Sequence, residues 1–186
     1  MEIHDSVLIK HISEQVALEE HLCALIDKQI SEIDHELFPD AIDLLVSAQK
    51  VLLNNFAALN KLLDQLEVDA SISRSIAREG NGHITVDREG VEYRQTSKML
   101  RDDYSALNLI TISNTLLHTI ALALGSADVA STALRHLENL APLVVKIGEL
   151  MPEIATKELG AQFSWVDLLS AKTALKNVQL AWQKAS

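Results

Sequence analysis

The chain has 186 residues, six glycines, three prolines and a formal net charge of −10, a length that suits one domain. So few turn formers and only 4% aromatic residues argue against an all-β or loop-rich protein, and Leu, Ala and Ile supply the apolar mass as they do in helix bundles. The single Cys23 excludes an internal disulfide framework and CxxC metal knots, and an acid surplus that repels phosphate backbones argues against nucleic acid as a direct partner.

Residues 1–69 carry fourteen acids against four lysines, enough to account for the whole net charge. The opening MEIHDSVLIK has no basic segment ahead of an apolar run, so the expected location is the cytoplasm. The first helix is expected over about 5–35, with Ile9, Ile12, Val16, Glu19, Cys23, Ile26, Ile30 and Ile33 in alternating steps of three and four. Cys23 on that seam reads as a core thiol. ELFPD follows as a turn, with Asp40 as the expected cap of a second helix over about 40–67. The seam of that helix reads Ile42, Leu45, Gln49, Leu52, Phe56, Leu59, Leu63, Leu66. So short a turn makes the two helices antiparallel neighbours.

Residues 68–95 change character. Asn81-Gly82 marks a turn, and two β-like runs flank Asp87-Arg88-Glu89-Gly90, so a long crossover with a small hairpin is expected. Five of the six arginines fall here or just beyond: Arg74, Arg78, Arg88, Arg94 and Arg101. They suit either a solvated loop face or the docking of an anion or of a neighbour's acidic helix.

The third helix is expected over about 96–124, with seam Leu100, Asp103, Leu107, Ile110, Asn114, Leu117, Ala121, Leu124, ended by Gly125-Ser126. Residues 104–127 contain no charged side chain. That stretch is long enough to span a bilayer, but Asn, Ser, Thr and His interrupt it and no membrane span is expected. Its small polar outer face suits a surface covered by protein, either the C-terminal helix or a second subunit. The fourth helix is expected over 128–158, with Ala130, Ala133, Leu137, Leu140, Val144, Ile147, Met151 and Ile154 inward, and Pro142 and Pro152 as bends or a restart. Ser164-Trp165-Val166-Asp167 has the form of a capping box for a fifth helix over 164–184, with Trp165, Leu168, Leu175, Val178 and Trp182 on one face. The two tryptophans read as packing anchors.

The fold class is therefore all-α: one domain over 1–186, a four-helix bundle with a long crossover between helices two and three and an extra C-terminal helix. The stretch LLHTIALALGSADVASTALRHLENLAPLVVKIGEL resembles the third and fourth helices of the ferritin-like superfamily, and in particular small bacterial stress-associated members of unknown function. That resemblance implies a ferritin-like fold and, in the family at large, two metal ions held by a Glu on each of two helices and a Glu-x-x-His on each of the others. The only Glu-x-x-His here is Glu32 to His35, which the seam turns outward, so the intact di-metal set is missing.

What remains is a thin polar layer. Glu19 and Asn114 fall at one level, and His118 and His136 lie equidistant from the Gly125-Ser126 turn. Two readings stay open: a mononuclear iron, manganese or zinc site using Glu19, His118 and His136, or a core hydrogen bond between Glu19 and Asn114 that sets helix register. No P-loop, dinucleotide-binding, nucleophile-elbow or HExxH motif is present. The expected function is a non-enzymatic, self-associating bundle without a cofactor, forming a dimer through helix three and the C-terminal helix. The alternative is a metal-binding protein with an unconventional site, with oxidoreductase chemistry as one use of that site.

Overall fold

The structure, a computed structural model, describes residues 3–68 and 95–185. Among them are five helices and no strand: α1 (Ile3–Glu32), α2 (Pro39–Gln65), α3 (Thr96–Ala123), α4 (Ala127–Gln162) and α5 (Ser170–Ala185). The chain is all-α. The expected crossover and its hairpin, with Arg74, Arg78, Arg88 and Arg94, lie outside the described residues. Arg101 is described, and it pairs with its neighbour Asp102 at 2.9 Å.

The breaks between helices have local causes. Asp34 Oδ1 accepts from the N–H groups of Glu36 and Leu37 at 2.9 and 3.0 Å, which folds the turn after α1. His35, expected inside the helix, lies beyond its end, and its Nε2 lies 2.8 Å from the carbonyl of Ile30, one of the terminal acceptors left open there. Phe38, not Asp40, is the N-cap residue of α2, with Pro39 in the first turn, where its missing N–H costs nothing. Gly125 ends α3 at φ +73, and the Ser126 and Gly125 N–H groups return to the Ala121 and Leu122 carbonyls at 2.9 and 3.2 Å. That is a Schellman closure, which favours glycine at the left-handed position.

Neighbouring pairs are α1–α2, α1–α3, α2–α4 and α3–α4, a ring that leaves α1 and α4 on one diagonal and α2 and α3 on the other. Helix directions follow from two apolar clusters. One joins Leu22 and Ile26 of α1, Leu45 and Leu52 of α2, Leu100 and Leu107 of α3, and Leu140 and Ile147 of α4. The other joins Ile12, Leu59, Leu117 and Ala133 of the same four helices. So α1 and α4 run one way and α2 and α3 the other, and α2 ends at the opposite end of the bundle from where α3 begins. Each fully buried Leu or Ile contributes about 1.5–3 kcal/mol.

α4 runs unbroken through Pro142 and Pro152. Leu140, Leu143, Ile147, Leu150 and Ile154 stay buried along it, and the Thr156 hydroxyl donates to the Pro152 carbonyl at 2.7 Å. Packing on both sides of each proline outweighs the missing backbone bonds. The Ser164 capping box does not form: α4 continues to Gln162, and Asp167 Oδ1 accepts from the Leu169 N–H at 2.9 Å in a turn that precedes α5. Trp165 and Leu168, expected on the apolar face of α5, precede that helix and are exposed. α5 packs against α4. It leaves Ile112, Leu116 and Leu122 of α3 exposed, so the expected cover of α3 is not supplied by α5 within one chain.

By length and composition alone, α3 is apolar enough to cross a membrane. Here its Asp103 and Asn114 face the core of the bundle.

Candidate functional site

A band of polar side chains separates the two apolar clusters. α1 contributes Gln15 and Glu19, α2 Asn55, α3 Asn114 and α4 His136, all buried. Every helix of the ring therefore places a hydrogen-bonding group at mid-height.

Gln15 and Glu19 are one helical turn apart, which sets both on the inward stripe of α1. Gln15 Nε2 donates to Glu19 Oε1 at 3.0 Å and reaches the Ile110 carbonyl of α3 at 3.5 Å. Asn114 Nδ2 donates to that same carbonyl at 3.1 Å. Glu19 Oε1 lies 3.7 Å from His136 Nδ1, with the two side chains 0% and 2% exposed. The chain of contacts thus runs from α3 through α1 to the diagonal helix α4. At the same level Asn139 Nδ2 donates to Asn55 Oδ1 at 3.3 Å, tying α4 to α2.

Of the sequence-predicted residues, the structure brings Glu19, Asn114 and His136 into this layer. His118 takes another place. Its ring Nδ1 lies 2.8 Å from the Ala130 carbonyl, which can only accept, so that nitrogen carries the hydrogen and pins α3 to α4. Ala130 lies about 9 Å along the helix from His136 at 1.5 Å per residue. The expected direct bond between Glu19 and Asn114 is also replaced: the two share Gln15 and the Ile110 carbonyl as intermediaries. Glu32 and His35 are both exposed, Glu32 beside Lys28 at 3.6 Å.

Gln15 and Asn55 were not among the expected site residues. A signal for Asn55 exists in the spacing Ala41, Leu45, Ala48, Leu52, Asn55, Leu59, Leu62, an alternative seam of steps of four and three. A second polar contact lies toward the other end of the bundle, where Gln29 Nε2 donates to Asp103 Oδ1 at 3.1 Å. Burial pushes the Asp103 carboxyl up to about 7; Asp102 adds to the rise and the Gln29 bond opposes it.

A two-metal carboxylate centre does not fit the mid-height layer. It holds one carboxylate and one imidazole, and Asn55 and Asn114 offer neutral carboxamides where such a centre needs anionic bridges. Among the described residues no group of three or more His, Cys, Asp or Glu is placed to share a metal ion. Glu19 and His136 supply two donors where a mononuclear catalytic zinc site uses three.

No family model matches this chain, and no curated protein matches it. Its fold is similar to that in the crystal structure of a protein from Xanthomonas campestris pv. campestris. The TM-score is 0.71 at 16% identity, over 87% of this chain and 99% of that one. At that identity the likeness shows the fold alone.

Proposed function

We propose that this chain is a non-enzymatic, ferritin-like helical bundle that self-associates through the outer face of α3 with help from α5, as a structural or stress-associated interaction protein. The ring of helices, with its two parallel diagonals and one long connection, supports the ferritin-like reading, since that connectivity is the one ferritin-like bundles use.

The observation that carries self-association is the outer face of α3. Leu109, Ile112, Leu116 and Leu122 are exposed there, and only 28% of the helix's most apolar window is buried within the chain. The polar side chains among them fold back on their own helix. Ser105, Asn108, Thr111, Thr115 and Thr119 each donate to the carbonyl four residues earlier, at 2.7 to 3.1 Å. The hydroxyl donors need no water, and only the Asn108 carboxamide keeps a second N–H and an oxygen to be met, so the face can be covered with few hydrogen bonds left open. An uncharged face also meets its own copy without like-charge repulsion, which the acidic surface of α1 and α2 would not.

Light scattering of the full chain at micromolar concentration tests the proposal. A mass of two or more chains is expected; a compact monomer overturns it.

A further inference from the structure

We infer that the mid-height layer is a water-binding site, in which ordered water rather than a metal ion completes the hydrogen bonds of Gln15, Glu19, Asn114 and His136, with Asn55 at the same level. The inference rests on the geometry of this layer and is independent of self-association.

Five buried atoms of the layer have no protein partner: Gln15 Oε1, Glu19 Oε2, Asn55 Nδ2, Asn114 Oδ1 and His136 Nδ1. Leaving all of them dry would cost an amount comparable to the whole folding free energy of a small domain. Something must meet them, and their chemistry identifies it. Four present lone pairs, His136 Nδ1 doing so when the ring hydrogen is on Nε2, and one presents an N–H. A metal ion accepts lone pairs but cannot accept the Asn55 N–H, whereas water does both. The Gln15 and Asn114 oxygens are neutral amides, weak ligands for iron or zinc but ordinary partners for a water hydrogen. The 3.7 Å between Glu19 Oε1 and His136 Nδ1 is too long for a direct hydrogen bond and short enough for one water to touch both. About two waters carry enough hydrogens for the four acceptors, and buried water is normally held by two to four such partners. Water so held would couple α1, α3 and α4 where direct side-chain bonds do not close.

The test uses the full chain expressed with iron, manganese and zinc present. Elemental analysis is expected to give a metal-to-chain ratio near zero, and a chelator is expected to leave the melting midpoint unchanged. Cross-relaxation between water and the side-chain amides of Gln15 and Asn114 should reveal long-lived internal water. The signal should vanish in the Glu19→Leu/His136→Leu variant. Near-stoichiometric metal overturns the inference, as does the absence of long-lived water at those amides in the unaltered chain. Both readings come from the wild-type chain, so a variant that fails to fold leaves the inference open to refutation.

Discussion

Glu19 and His136 meet across a diagonal of the bundle, Oε1 to Nδ1 at 3.7 Å, joining two helices that otherwise face each other through the core. Among the described residues neither side chain has another charged neighbour in contact with it, and Gln15 is the only side chain that donates to the carboxylate. Replacing one member strands the other, together with Gln15 in the case of Glu19. Glu19→Leu and His136→Leu should each cost about 1–3 kcal/mol. The double replacement should cost clearly less than the sum, because apolar groups then meet apolar groups. Urea unfolding of the four proteins measures the coupling, and strict additivity would show that the two side chains act independently.

Asp103 should impose a pH dependence on stability. Its carboxyl ionises near 3.8 in the unfolded chain and near 7 in the folded one, so between those values the folded state holds the proton longer. The contribution is fully present below about pH 4 and is lost as pH rises to about 7, a difference on the order of 4 kcal/mol at most. Asp103→Asn keeps an acceptor for Gln29 and removes the ionisation. This variant should flatten the stability profile between those pH values and be the more stable protein at pH 8. An unchanged profile would place the pH dependence elsewhere.

Ile112→Glu and Leu116→Glu place like charges on the proposed interface. Both positions are exposed in the single chain, so each change should alter monomer stability by no more than about 0.5 kcal/mol. Light scattering should nevertheless show the mass fall to that of one chain. Retention of the assembled mass in both variants would move the interface off α3.

The start of α3 is held by α4. Glu158 Oε1 accepts from the Ser97 N–H at 3.0 Å, and Glu158 Oε2 accepts from the Ser97 hydroxyl. A carboxylate there satisfies an open N–H and suits the positive end of the helix. Glu158→Ala should cost about 1 kcal/mol and raise hydrogen exchange at the Ser97 to Met99 amides. Unchanged exchange there would mean that the cap contributes little.

Glu67 follows α2 at φ 56, in the left-handed region. The Val68 N–H returns to the Leu63 carbonyl at 3.1 Å, and the Glu67 N–H to Asp64 at 3.1 Å, a closure that prefers glycine. Glu67→Gly should therefore stabilise the protein by about 0.5–1 kcal/mol, seen as a raised thermal midpoint. A lowered midpoint would show that the side chain contributes more than the backbone strain costs.

The four long helices and the short turns at Pro39 and Gly125 were legible in the sequence, because apolar periodicity and turn residues act locally. The seam of α3 was legible almost throughout: Leu100, Asp103, Leu107, Ile110, Asn114, Leu117 and Ala121 are all buried, and only Leu124, at the helix end, is half-buried. On the other helices one column of the seam was legible and its companion was displaced in part. Ile9, Ile12, Val16, Glu19, Ile26 and Ile33 of α1 face inward as expected, but Gln15, Leu22 and Gln29 are buried as well, with Cys23 and Ile30 only half-buried beside them. α2 buries Asn55 where Phe56 was expected, and α4 buries His136 where Leu137 was expected.

Ranking by hydrophobicity chooses the apolar member of each adjacent pair, and at Gln29–Ile30, Asn55–Phe56 and His136–Leu137 the polar member is the one inside. The sequence by itself determined the helical class, the approximate extents of the four long helices and the partition of charge onto α1 and α2. Only the tertiary structure decided which residue of each adjacent pair faces the core, and so added Gln15, Asn55 and His136 to the level that Glu19 and Asn114 already shared in the seams. Successive residues differ by about 100° around a helix. Which of two neighbours points inward is set by the rotation of each helix against the other helices of the ring, and no single helix carries that information.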